Sequence, residues 1–100
     1  MTDKLWKQTE RRIAKLLGAG RNPVGTGKAD ANSSWLQIEV KEREKLPEWL
    51  TKEMTKVRAR CGPSQLGIVV LHEKGKHTGK DMVFISLADY IDWYGTGKEV

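Results

Sequence analysis

The sequence predicts an α/β fold in which helices flank a mixed central sheet, in the order α-β-β-α-β-β-α. Two segments carry apolar residues at helical spacing, and a capping box introduces a third helix. Four other segments are short and either alternate between apolar and polar residues or are continuously apolar, which is typical of strands. With 100 residues there is room for one core, so we expect residues 1–100 to form a single domain.

The composition indicates a folded, basic protein. Hydrophobic residues make up 38% and charged residues 31%, and 18 Lys and Arg against 13 Asp and Glu give a net charge of +5. The positive charge suggests a polyanionic partner. No apolar run reaches the ~20 residues of a membrane span, and Met1-Thr2-Asp3-Lys4 lacks a signal-peptide core, so we expect a cytoplasmic protein with no membrane partner. The single cysteine, Cys61, cannot form an internal disulfide.

The first helix is expected from Thr2 to Leu17, with Gly18 as its stop. Glu10 lies within the apolar face of this helix, which is an unusual place for a carboxylate. The other members of that face are Leu5, Trp6, Ile13, Leu16 and Leu17.

Residues 35–43 alternate between apolar and polar side chains, which predicts a strand with one inner face. Glu39 and Lys41 share the outer face, and turn-prone residues at 32–34 predict pairing with residues 28–31. A loop with an even number of residues puts Asp30 on the same face as Glu39, opposite it for four residues and diagonal for two. An odd loop without a bulge turns Asp30 away.

The second half of the chain contributes a helix, two strands and a final helix. Pro47 opens the helix, whose buried stripe is predicted to be Leu50, Met54, Val57 and Cys61. Residues 67–72 and 81–86 are apolar runs that predict strands covered on both faces, joined by a basic hairpin at 73–80. Ser86 and Asp89 form a capping box for a helix that ends near Gly95.

Convergence of Glu10, Asp30, Glu39 and Lys41 would create a site for metal-assisted phosphodiester hydrolysis. Carboxylates that converge repel one another unless a cation lies between them. Their hard oxygens suit Mg²⁺ or Mn²⁺, which polarises a phosphoryl oxygen and lowers the pKa of bound water. A nearby lysine can orient that water or stabilise the developing charge.

The set Asp30…Glu39-Val40-Lys41 resembles the core motif of the PD-(D/E)XK nuclease superfamily. The small size, Glu10 on a first helix, the glycine-rich loop at 18–28 and the Ile-Glu-Val-Lys strand look most like archaeal-type Holliday junction resolvases, enzymes of DNA recombination and repair. This resemblance implies a restriction-endonuclease-like fold, a homodimer, and nicking of two opposed strands of a four-way DNA junction. It also implies Mg²⁺ held by Asp30, Glu39 and the Val40 carbonyl, with Glu10 completing the acidic set and Lys41 as base or charge stabiliser.

Several residues are candidates for DNA contact. Thr26 stands where the resolvases often carry a loop serine, a few residues before the aspartate. Lys52, Lys56 and Arg60 recur at i, i+4 and i+8 on one helix face, where solubility and phosphate tracking are equally good interpretations. The remaining candidates are Arg21, Lys28, Lys74, Lys76 and Lys80.

Two other functions remain open at this stage. One is a nuclease of the same superfamily that acts on linear or flap DNA. The other is a nucleic-acid-binding module with a decayed site, which the intact set of Asp30, Glu39 and Lys41 argues against. A zinc site is rejected because His72 and His77 have no Cys or His companions at metal-ligand spacing.

Overall fold

A computed structural model of the protein describes residues 5–21 and 31–95. It shows a mixed α/β protein with three α-helices and two small antiparallel sheets among these residues. The α/β class is therefore confirmed, whereas the described strands form two sheets instead of the one mixed sheet that the sequence predicts. Each sheet joins only strands that are neighbours along the chain. The chain divides into two compact units, residues 1–44 with 94–100 and residues 45–93.

The first unit combines a helix with a three-stranded sheet. Helix α1 spans Leu5–Leu16, and Gly18 ends it with φ +68°, a conformation that favours glycine. Strands β1 (Gly20–Arg21), β2 (Ala31–Asn32) and β3 (Gln37–Ile38) follow in spatial order, and α1 contacts β1 and β2.

The buried face of α1 passes through Glu10, Ala14 and Leu17. These positions are spaced i, i+4 and i+7, so they lie on one side of the helix. The prediction that Glu10 belongs to the inner face is confirmed, since only 6% of it is exposed. The prediction for Leu16 is wrong, because one position away from Leu17 the helix has turned by about 100° and Leu16 is 47% exposed.

The hairpin of β2 and β3 has a defined register. Ala31 pairs with Ile38 and Asn32 with Gln37, so four residues connect the strands. Ser33 closes this connection, because its N–H donates to the Leu36 carbonyl (2.9 Å) and its Oγ accepts from the Leu36 N–H (3.2 Å). From Leu36 to Lys41 half-buried and exposed residues alternate as predicted. The strand itself spans Gln37–Ile38, which is shorter than the predicted residues 35–43.

The second unit contains α2 (Glu48–Ala59), β4 (Val69–Leu71), β5 (Met82–Phe84) and α3 (Leu87–Tyr94), the last of which ends at its border. Pro47 occupies the N-cap position directly before α2, so the helix opens at this proline as predicted. The predicted stripe of Leu50, Met54, Val57 and Cys61 is the less exposed face, but its residues are half-buried and not buried. The Ser86 hydroxyl accepts a hydrogen bond from the Asp89 N–H (3.1 Å), so the predicted cap of α3 is present. Gly95 follows the helix with φ +58°.

The two apolar strands of this unit are not covered on both faces, so that prediction is wrong. They form a two-stranded hairpin in which Val69 pairs with Phe84 and Leu71 with Met82. Within the unit β4 contacts α2, while Val70 and its pairing partner Val83, which share one face, remain 50% and 55% exposed. A two-stranded sheet that meets a helix on one side leaves its other side open.

Candidate functional site

Glu39 and Lys41 lie just beyond β3 with exposed side chains. They are two residues apart, and the half-buried Ile38 and Val40 alternate with them. An extended backbone directs residues i and i+2 to the same side. A carboxylate and an ammonium group are thus both exposed to solvent, in the alternation that the sequence predicts.

The segment that carries Lys41 meets helix α1. Thr9 donates a hydrogen bond from its hydroxyl to Oε1 of Glu42 at 2.6 Å, and Nη2 of Arg12 donates to the same hydroxyl at 3.4 Å. Glu42 directly follows Lys41, and Thr9 directly precedes Glu10. This contact therefore brings the chain next to Lys41 against the helical turn that carries Glu10.

Glu10 is the charged residue most deeply buried among the described residues. Removing a carboxylate from water is costly unless other groups compensate for the lost hydration. Its place beside Ala14 and Leu17 means that the fold keeps this charge at its inner face. A carboxylate at such a position is a reasonable candidate for a functional group.

Three of the predicted site residues, Asp30, Thr26 and Lys28, lie outside the described residues, and Arg21 contributes its backbone to β1. Within residues 5–21 and 31–95, no three His, Cys, Asp or Glu side chains are grouped closely enough to hold a metal ion. Glu10 and Glu39 therefore do not form a three-ligand site with another described side chain.

The lysines on α2 are paired within the helix. Nζ of Lys52 lies 3.3 Å from Oε1 of Glu48, and Nζ of Lys56 lies 3.4 Å from Oε1 of Glu53. The spacings i, i+4 and i, i+3 were visible in the sequence and are those at which helical side chains meet. Arg60, the third basic residue of this face, is exposed at the helix C-cap.

An ion pair that the sequence analysis missed joins α2 to α3. Arg58 donates from Nε to Oδ2 of Asp89 at 2.8 Å and from Nη2 to Oδ1 at 3.3 Å, a two-pronged contact. The hydrogen bond from Arg58 lowers the pKa of the Asp89 carboxyl and raises that of the guanidinium. The two residues are 31 positions apart, so no local spacing could have indicated the pair.

A groove of about 380 Å³ lies beside this ion pair within the second unit. Its walls are mainly apolar and include Leu50, Met54, Phe84 and Leu87. The one charged side chain in the lining, Arg58, is engaged by Asp89. The groove therefore lacks the pairs of titratable groups that general acid–base chemistry needs.

Comparisons with protein-family models, with curated proteins and with solved structures each gave no match for this chain. Among the described residues, no helix is long and apolar enough to cross a membrane.

Proposed function

We propose that this protein is a metal-dependent, structure-selective DNA endonuclease that resolves four-way junctions by phosphodiester hydrolysis. The observation that carries the proposal is the register of the β2–β3 hairpin. Four residues connect the strands, with Ala31 opposite Ile38. A four-residue loop is the case for which the sequence predicts Asp30 opposite Glu39, so this register supports the proposal.

The surroundings of α1 give further support. Glu10 is buried on the helix face that the sequence assigns to the site, and the Thr9–Glu42 hydrogen bond holds the chain next to Lys41 against that helix. A resolvase of the kind that the sequence resembles needs its first-helix glutamate and its strand lysine in one neighbourhood.

The available donors fit a hard divalent cation. Asp30, Glu39 and the Val40 carbonyl would hold Mg²⁺, with Mn²⁺ as a substitute and Glu10 completing the acidic set. When bound, such an ion polarises a phosphoryl oxygen and lowers the pKa of a coordinated water. Lys41, exposed beside Glu39, is suited to orient the attacking water or to balance the charge that develops on the phosphate.

One observation favours a second candidate, a nucleic-acid-binding module without catalysis. The described residues alone do not group three metal ligands. A chain whose site had decayed would still carry the net charge of +5 that attracts a polyanion. A cleavage assay distinguishes this candidate from a nuclease. The preferred substrate then distinguishes a junction resolvase from a nuclease that acts on linear or flap DNA.

The test is to incubate the purified protein with a four-way junction, a flap and matched linear duplexes, with Mg²⁺ or with EDTA. We expect Mg²⁺-dependent nicking of the junction. Glu39→Gln and Asp30→Asn should each reduce the rate by ~10²-fold or more while junction binding persists, because a preorganised charged group is lost. Glu44→Gln, which removes another exposed carboxylate of the same segment, is the control and should cut normally. Normal cutting by Glu39→Gln would refute the site assignment.

A further inference from the structure

Residues 72–81 connect β4 to β5, and residues 73–80 within this connection form the basic hairpin tip. At its base Nδ1 of His72 lies 2.6 Å from Oδ1 of Asp81, directly beyond the last strand pair, Leu71 with Met82. The side chain of Asp81 is only 17% exposed, so this contact is well sheltered for a hairpin. The pair closes the base of the tip.

The tip is built from two consecutive turns. In the first, the Lys76 N–H donates to the Glu73 carbonyl at 3.0 Å, and Gly75 adopts φ +85° at the third turn position. Positive φ at that position is characteristic of type II turns and favours glycine. In the second, Thr78–Lys80 forms a single 3₁₀ turn in which the Lys80 N–H donates to the His77 carbonyl at 3.0 Å. The backbone of the tip is therefore held at defined points.

His77 caps the second turn with its side chain. Its Nδ1 accepts a hydrogen bond from the Gly79 N–H at 2.9 Å. A Cβ at position 79 would lie 3.0 Å from that nitrogen, a close contact that the imidazole would have to relieve by shifting. The imidazole thus fixes the turn that leads into Lys80.

The lysines of the tip are available for an external partner. Lys74, Lys76 and Lys80 are exposed, and among the described residues none of them forms an ion pair. On α2, by contrast, Lys52 and Lys56 already lie beside glutamates. A phosphate that binds at the tip does not have to displace a carboxylate first.

We propose that the basic hairpin tip binds the phosphodiester backbone of DNA through its three lysines, and that His77 is the positioning residue that holds it in shape. The choice of DNA as the partner rests on the function proposed above. Residues 72–81 contain no apolar side chain, which argues against an anionic membrane, because stable membrane binding needs buried apolar area or a longer basic cluster.

Two charge-matched variants test the contact. The tip variant carries Lys74→Gln, Lys76→Gln and Lys80→Gln, and the helix variant carries Lys52→Gln, Lys56→Gln and Arg60→Gln. Each variant therefore loses three positive charges. Binding to a four-way junction is measured in EDTA between 50 and 200 mM salt. In the tip variant, the slope of the logarithm of the association constant against the logarithm of the salt concentration should become less steep by about three. The affinity of this variant near 0.1 M salt should fall by ~10²-fold. The helix variant should change the slope by less than about one. Equal losses in both variants, or an unchanged tip variant, would overturn the proposal.

Two substitutions at position 77 test the positioning role at pH 8. His77→Ala removes the cap and should weaken junction binding about fivefold, whereas His77→Asn should bind within twofold of the wild type. The Asn side-chain oxygen accepts from the Gly79 N–H as Nδ1 does. Failure of Asn to rescue the loss would remove His77 from the proposal.

Vesicles containing phosphatidylserine complete the experiment. Binding to them as tight as to DNA would overturn the choice of partner. If the protein binds junctions through the tip but does not cut them in Mg²⁺, this inference is supported and the nuclease is refuted. Unimpaired binding and cutting by the tip variant would refute this inference and leave the nuclease intact.

Discussion

The hydroxyl of Thr9 donates a 2.6 Å hydrogen bond to Oε1 of Glu42, and so ties helix α1 to the chain that follows β3. Glu10 and Lys41 are the direct neighbours of these two residues. In the proposed enzyme the relative positions of a carboxylate and a lysine determine whether both can face one phosphate. The contact therefore has a structural consequence and a functional one, which can be measured separately.

Replacing Thr9 with Val should lower both the stability of the fold and the rate of cleavage. Val is β-branched like Thr and has a similar helix propensity, so the main change is the loss of the hydroxyl. We expect the free energy of unfolding in urea to fall by about 1 kcal/mol, which is less than for a sheltered hydrogen bond to a charged group because this contact is exposed. Cleavage should slow about tenfold. Thr9→Ser keeps the hydroxyl and is the control; if it behaves like Val, the hydrogen bond is not responsible.

The buried carboxylate of Glu10 should matter more for activity than for stability. Glu10→Gln keeps the shape of the side chain at a position only 6% exposed, and the amide can still donate and accept hydrogen bonds there. We expect the melting temperature to stay within a few degrees of the wild type and the Mg²⁺-dependent rate to fall at least tenfold. A marked loss of melting temperature with normal cleavage would show that Glu10 serves the fold alone.

Lys41→Ala should lower the cleavage rate far more than the affinity for a junction. A lysine that only contacts phosphate would instead reduce the slope of log K against log salt by about one. Single-turnover cleavage and a gel-shift salt titration distinguish the two roles. Lys45→Ala, another exposed lysine shortly after it, provides the comparison. If affinity and slope fall while the single-turnover rate is kept, Lys41 is a phosphate clamp.

The Arg58–Asp89 pair should make stability sensitive to acid. The hydrogen bond from Arg58 is the main cause that holds the pKa of the Asp89 carboxyl below its ordinary value of 3.8, and Ser86 acts in the same direction. A carboxyl whose folded pKa is depressed stabilises the fold at pH values above its unfolded pKa. That contribution is lost as the pH falls through the folded pKa, below about pH 4.

Thermal unfolding of the wild type and Asp89→Asn between pH 7 and pH 2 measures this contribution. The variant should melt at a lower temperature near neutrality, and the difference should shrink in acid. Arg58→Gln should show the same convergence because it breaks the same pair, and Glu53→Gln should not. Curves that stay parallel down to pH 2 would contradict the assignment.

Features that depend on neighbours in sequence could be predicted well. The alternation from Leu36 to Lys41 and the cap at Ser86 follow from local periodicity or spacing, and the structure confirms them. Spacing also identifies the less exposed face of α2, although the residues of this stripe are half-buried and not buried as predicted. Gly18 and Gly95 mark helix ends because their positive φ angles favour glycine. Glu10 was also assigned to the inner face from its spacing alone.

Features that depend on tertiary packing could not be predicted. Whether Val70 is covered depends on what packs against the β4–β5 hairpin, and a continuous apolar run does not reveal this. The contacts between Thr9 and Glu42 and between Arg58 and Asp89 join residues 33 and 31 positions apart. Register, the basis of the proposed site, was left open by the sequence because loops of two residues, of four residues and of an odd number were all compatible with it.

Assembly and choice of substrate provide the last prediction. A four-way junction has two-fold symmetry and its resolution requires two cuts, whereas the proposed site occurs once per chain. A closed dimer with two-fold symmetry, the commonest oligomeric form, would present two such sites and two basic hairpin tips in matching positions. Large apolar side chains that are about half exposed or more, including Leu46, Trp49, Met82 and Trp93, give such a dimer surface to bury.

We therefore expect a dimer by light scattering at micromolar concentration, and tighter binding to a four-way junction than to duplex of equal length. Two tips at a fixed separation can contact two arms of one junction at the same time. A straight duplex can contact both tips only if the distance between the tips matches the path of its backbone. Competition with unlabelled linear duplex measures the preference, and the tip variant, which should lose most of it, is the control. A monomer that cuts linear duplex as readily as junctions would rule out the resolvase and leave the broader nuclease assignment, because one site per particle suffices to cut a single strand.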